Sequence, residues 1–113
     1  MSELAKKHCV PCRGGVPPLA GEALAALQQS LPSWKAIEEH HLEKSFLFPD
    51  FAKALAFVMR IGAVAEEEGH HPDLGLSWGK VDVKIYTHKI GGLTENDFIL
   101  AAKIDQLPVA LKK

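Results

Sequence analysis

The sequence is poor in several things that would announce a specialised role. Cysteine is scarce: Cys9 and Cys12, in the run Cys-Val-Pro-Cys, are the only two. Their spacing is that of a thiol redox pair or half a zinc knuckle. A redox pair of this kind follows a strand and opens a helix, whereas this one runs into Arg-Gly-Gly-Val-Pro-Pro, with only His8 nearby as a further ligand. The pair is therefore read as two thiols on an irregular lead-in over residues 1–18, ahead of a single domain over 19–113. No run of 18 apolar residues occurs, and Ser2, Glu3, Lys6 and Lys7 stand where a signal peptide would be apolar. That argues against a membrane-spanning helix and a secretory leader, so a cytoplasmic protein is expected. Charge of one sign is lacking as well. Thirteen basic and 14 acidic side chains leave a net charge of −1, which excludes the basic surface needed to hold nucleic acid through its phosphates. No Walker-type phosphate loop and no dinucleotide fingerprint is present. What remains is 47% apolar residues in 113, enough for one thin core that oligomerisation would supplement.

The periodicities order the elements. Leu24, Leu27 and Leu31 recur as on an amphipathic helix that Pro32 stops. Trp34 to Glu39 and Leu42 to Phe48 read as a hairpin turning near His40–His41. From Asp50 to Glu68 runs the longest helix, with Phe51, Leu55 and Val58 on one stripe and Phe57, Ile61 and Val64 on another. A helix apolar nearly all round is expected to be buried on more than one side, as a central helix or a subunit interface. Its last turn carries Glu66, Glu67 and Glu68, where the helix dipole disfavours negative charge. Glu67 and Glu68 read as a solvated acidic patch, while Glu66 is a candidate for a role. Gly69 is the expected left-handed stop, and His70-His71-Pro72 follows.

The next hairpin has a readable register. Leu74, Leu76 and Trp78 alternate, as do Val81, Val83 and Ile85, with Gly79-Lys80 between them as a type II′ turn. Trp78 would then face Val81, Leu76 would face Val83 and Leu74 would face Ile85, all on one side of the sheet. Extended to the open end, this register sets His88 opposite His71, with His70 adjacent, and puts Lys84, Tyr86 and His88 together on the face away from the core. Thr94 then caps a last helix, with Asp97 three residues on as a helix-start carboxylate and Leu100, Ile104 and Leu107 as its buried stripe before Pro108. His8, His40 and His41 read as filler.

Two imidazoles biased by a carboxylate suit a reaction that needs one acid and one base near neutrality, such as a dehydration or tautomerisation. No serine or cysteine nucleophile lies beside the cluster in sequence. Three histidines with an open position, or with Glu66 as a fourth ligand, are also a zinc arrangement. The adjacency of His70 and His71 argues against that reading only weakly.

The spacing Glu66, His70-His71-Pro72, Trp78, His88, Asp97, together with Thr87-His88 and Gly92-Leu93-Thr94, resembles the signature of the pterin-4a-carbinolamine dehydratases. The resemblance covers roughly residues 19 to 108. It implies an α+β domain with a four-stranded antiparallel sheet and three helices packed on one face, in the order α-β-β-α-β-β-α. It implies elimination of water from 4a-hydroxytetrahydropterin to give quinonoid dihydropterin, with no metal and no bound cofactor. On matching positions it makes His70 and His88 the acid/base pair and gives His71 the task of binding and orienting the pterin. Glu66 would bias the histidines, Thr87 would contribute to the pterin pocket and Asp97 to its edge. Homodimers or homotetramers are implied too, and some animal members double as dimerisation cofactors of a homeodomain transcription factor.

Overall fold

The computed structural model describes residues 18–107. His8, Cys9, Cys12, the expected lead-in before Pro18 and the expected stop at Pro108 lie outside the described residues.

Alternation builds the sheet. In β4 (Lys80–Ile85), Val81, Val83 and Ile85 are buried while Asp82 and Lys84 face outward. On one side β4 pairs antiparallel with β2 (His41–Leu47), which pairs with the short edge strand β1 (Lys35–Ile37). On its other side lies β3 (Asp73–Ser77), so the order across the sheet is β1-β2-β4-β3. Three helices cover one face: α1 (Gly21–Gln29), α2 (Phe51–Glu68) and α3 (Glu95–Asp105). The element order is the expected α-β-β-α-β-β-α. Trp34, Phe46, Phe48, Phe57, Phe98 and Leu100 fill the space between the layers.

Three expectations need correction. The first is the β3–β4 turn. Ser77 pairs with Lys80, Leu76 with Val81 and Leu74 with Val83, so the two turn residues are Trp78 and Gly79 and the ladder is displaced by two positions. A displacement of two keeps every side chain on its face, which is why the alternation could not report it. Gly79 is spent on close approach: a Cβ there would stand 2.9 Å from the Phe48 carbonyl oxygen, and the Phe48 N–H donates to the Gly79 carbonyl at 2.8 Å. Trp78 consequently leaves the ladder and is 68% exposed.

The second is the reading of α2 as a central helix; its reading as a subunit interface is unaffected. Within the chain α2 buries one face only, through Ala54, Phe57, Ile61 and Ala65, and leaves Phe51, Leu55 and Met59 exposed. It is α3 that is buried nearly all round, with Phe98, Ile99, Leu100, Ala101, Ala102 and Ile104 enclosed. α3 packs against both α1 and α2. The third is Glu68, whose side chain is only 1% exposed and pairs with Lys103 at 3.6 Å. Glu68 lies in helical phase with Phe57, Ile61 and Ala65, so it falls on the buried face and ties the end of α2 to α3. Among the described residues no helix is long and apolar enough to cross a membrane.

Candidate active site

Gly69 ends α2 in the left-handed conformation, φ 65° and ψ 28°, and its N–H and that of His70 both reach the Ala65 carbonyl. This stops the helix and delivers His70 and His71 at a fixed place. From the other direction, Thr94 caps α3 and the Asp97 carboxylate turns back to accept its backbone N–H at 2.8 Å, the return half of a capping box. The helix-start role expected for Asp97 is therefore present.

The same carboxylate does more. Its Oδ1 lies 2.6 Å from His70 Nε2, and its Oδ2 accepts the Thr87 hydroxyl at 2.9 Å. Thr87 has a single hydroxyl proton, so the 2.9 Å contact between Thr87 Oγ1 and Thr94 Oγ1 must be donated by Thr94. The chain Thr94 to Thr87 to Asp97 to His70 is thus a directed hydrogen-bond network with a carboxylate at its centre. Asp97 is fully buried and the His70 side chain is 11% exposed. A carboxylate that accepts at Nε2 makes that nitrogen the donor, which leaves Nδ1 of a neutral ring as the free lone pair.

His71 is differently placed. Its Nε2 meets Glu66 Oε2 at 2.5 Å, but the His71 and Glu66 side chains are 59% and 78% exposed. His88 follows Thr87, which leaves the sheet through an isolated bridge to Gly92. Its imidazole stacks on Tyr86 with centroids 4.3 Å apart, and the Lys84 ammonium lies 5.7 Å from the centre of the Tyr86 ring. The expected grouping of Lys84, Tyr86 and His88 is therefore found, although Tyr86 is half-buried and packs against the core rather than lying wholly away from it. The expected pairing of His88 with His71 is not: the β3–β4 ladder stops at Asp73 and Lys84. Pro72, without an N–H, cannot continue it, and among the described residues no hydrogen bond or ring contact joins His88 to His70 or His71. What links them is Asp97, which holds His70 directly and holds Thr87, the residue before His88. Asp97 lies beneath His70 rather than at an open rim.

Among the described residues, no three His, Cys, Asp or Glu side chains gather closely enough to hold a metal ion. A shallow depression of about 430 Å³ on the sheet, lined by Glu43, Ser45, Asp73, Asp82 and Lys84 among others, includes none of the histidines.

Comparison with known proteins bears on the family and the fold. The family profile described as pterin 4 alpha carbinolamine dehydratase matches residues 17–107. A protein of Rubrobacter xylanophilus provisionally named pterin-4-alpha-carbinolamine dehydratase is 57% identical, over 95% of this chain and the whole of the relative. One from Alkaliphilus metalliredigens with the same provisional name is 50% identical, over 94% of this chain and 96% of its own. Among solved structures, a transcriptional coactivator/pterin dehydratase from Brucella melitensis superposes with a TM-score of 0.73 at 29% identity, covering 78% of this chain and 95% of that one. With its fold and its sequence in agreement, the chain belongs to the pterin-4-alpha-carbinolamine dehydratase family of hydro-lyases.

Proposed function

We propose that this chain removes water from 4a-hydroxytetrahydropterin by histidine acid/base catalysis. The observation that carries the reading is the buried Asp97 carboxylate, which grips His70 Nε2 at 2.6 Å and Thr87 Oγ1 at 2.9 Å. A carboxylate that fixes one imidazole's tautomer is what proton transfer at a defined nitrogen requires. In the reaction the N5–H proton passes to a base, the freed electron pair forms the C4a=N5 bond, and the C4a–O bond breaks as its oxygen takes a proton and leaves as water. His70, with Nδ1 as its free lone pair, and His88 share these two transfers. His71, exposed beside Glu66, binds and orients the pterin. Thr87 and Asp97 act through His70 rather than through direct contact with substrate. No metal or bound cofactor is needed in this scheme, because the pterin is the substrate.

The cellular task that follows is regeneration of the pterin after aromatic amino-acid hydroxylation, in the cytoplasm. A homodimer or homotetramer is the expected assembly. The exposed stripe Phe51, Leu55 and Met59 on α2, and Leu74 and Leu76 on the edge strand, supply apolar surface for it. Sedimentation of the wild type and of Met59→Glu tests this: a smaller species for the variant supports the α2 face as the contact, and identical sedimentation removes it.

The activity is tested by following the loss of water from 4a-hydroxytetrahydropterin optically, with wild type and His88→Ala side by side in chelator. Acid/base assistance is worth on the order of a hundredfold or more. A large wild-type acceleration that collapses in the variant supports the reading. No acceleration over buffer would sink it, and a loss of wild-type activity in chelator would favour a metal site.

A further inference from the structure

The backbone around His88 is well fixed. The Thr87 N–H donates to the Gly92 carbonyl at 2.8 Å, and the Thr87 carbonyl accepts from Ile90 at 3.1 Å and from Gly91 at 2.9 Å. The imidazole itself has no such anchor. It is exposed and lies against the Tyr86 ring, with centroids 4.3 Å apart and planes tilted by 40°. Tyr86 is stacked in turn against His40, with centroids 4.8 Å apart and planes at 37°. Three rings therefore form one column, His40, Tyr86, His88, contributed by the β1–β2 turn and the end of β4.

The far end of the column is unusually well secured for a surface turn. Glu38 and Glu39 both take left-handed backbone, φ 52° and 56°, which side chains other than glycine adopt rarely. The turn is held by the His40 N–H on the Ile37 carbonyl at 2.8 Å and by the Glu39 carboxylate, which accepts the Gly21 N–H at the start of α1 at 3.1 Å. The His40 ring is pinned as well. Glu43 accepts from His41 Nε2 at 2.8 Å, so Nδ1 of a neutral His41 accepts the proton that His40 carries on Nδ1, at 3.1 Å.

We propose that Tyr86, backed by His40, is a positioning residue for His88: the ring column holds the imidazole in the orientation used for proton transfer. The role rests on the dehydratase reading above. Ring stacking supplies the orientation, so the Tyr86 hydroxyl is dispensable and the aromatic face is not.

The test compares Tyr86→Ala, Tyr86→Leu, Tyr86→Phe and His40→Ala in the dehydration assay, with KM and kcat separated and the His88 Cε1–H resonance read by NMR. Tyr86→Ala and Tyr86→Leu are expected to lower kcat about 10- to 100-fold with KM changed less than about threefold, the signature of lost orientation rather than lost binding. Tyr86→Phe is expected to keep kcat and the ring-current shift of His88, and His40→Ala to fall between. Full kcat in Tyr86→Ala or Tyr86→Leu, or a Tyr86→Phe variant as impaired as Tyr86→Ala, would overturn the positioning role while leaving the dehydratase reading intact. A wild type that does not accelerate dehydration would overturn that reading and this role with it.

Discussion

His70 and His71 are neighbours in the chain and opposites in the fold. Each places Nε2 on a carboxylate, but the His70–Asp97 contact is closed off from water and the His71–Glu66 contact is open to it. Asp97 is committed to three donors from three segments; Glu66 holds one ring at the end of its own helix. The lesson is that an imidazole–carboxylate pair takes its meaning from its surroundings. In the dry pair electrostatic attraction is little screened and geometry is fixed, whereas the wet pair competes with solvent and salt.

The largest effect expected from breaking this contrast is at Asp97. Asp97→Asn keeps the shape but turns an amide nitrogen toward His70 if its oxygen stays with Thr87 and Thr94. His70 must then accept at Nε2 and carry its proton on Nδ1. We expect kcat to fall by about a hundredfold or more, with the inverted tautomer visible in ¹⁵N spectra of His70. A variant with full activity and an unchanged tautomer would remove Asp97 from the mechanism. Asp97→Ala strips all three donors at once, and an unfolding titration should show a stability loss of about 2–3 kcal/mol or more.

Thr87→Val is next. It removes the donor to Asp97 Oδ2 and the acceptor for Thr94, yet leaves the His70 contact in place. A loss of roughly tenfold in kcat with a stability cost near 1 kcal/mol is expected, read from paired assays and melts. The smallest effect belongs to Glu66→Gln, for which kcat/KM should change by less than about threefold because the pair is exposed. Ionic strength sharpens the same comparison. Raising salt to about 1 M, where screening acts over some 3 Å, should shift the His71 ring resonances and leave those of His70 in place; equal responses would show that the two pairs do not differ as described.

Much of this was legible in the sequence because it depends on local chemistry. Gly69 as the helix stop, Thr94 and Asp97 as a helix start, and inward Val81, Val83 and Ile85 all follow from what one turn or one strand requires. What could not be read depended on partners far along the chain. The placing of Trp78 and Gly79 in the turn rests on Phe48, 31 residues before Gly79, whose carbonyl forbids a side chain there. Glu68 resembles its two acidic neighbours in sequence, and only its helical phase with Phe57, Ile61 and Ala65 hinted that it is buried. The approach of His88 to the other histidines was inferred from an extended ladder that ends early; the link turned out to run through Asp97. His40 looked like filler because nothing local pairs it with Tyr86. The motif supplied the candidate residues, while the contacts among them came only with the fold.

Asp97 has a further consequence. The carboxylate in the first turn of α3 is also the one that holds His70, so a transient fraying of that turn frees the His70 imidazole from its partner. On the proposed mechanism, the fraction of molecules competent at any instant is bounded by the closed population of this one turn, whatever the stability of the rest of the domain. In mild denaturant, activity should therefore decline with amide exchange at Thr94 and Asp97, ahead of the global unfolding seen by the buried Trp34.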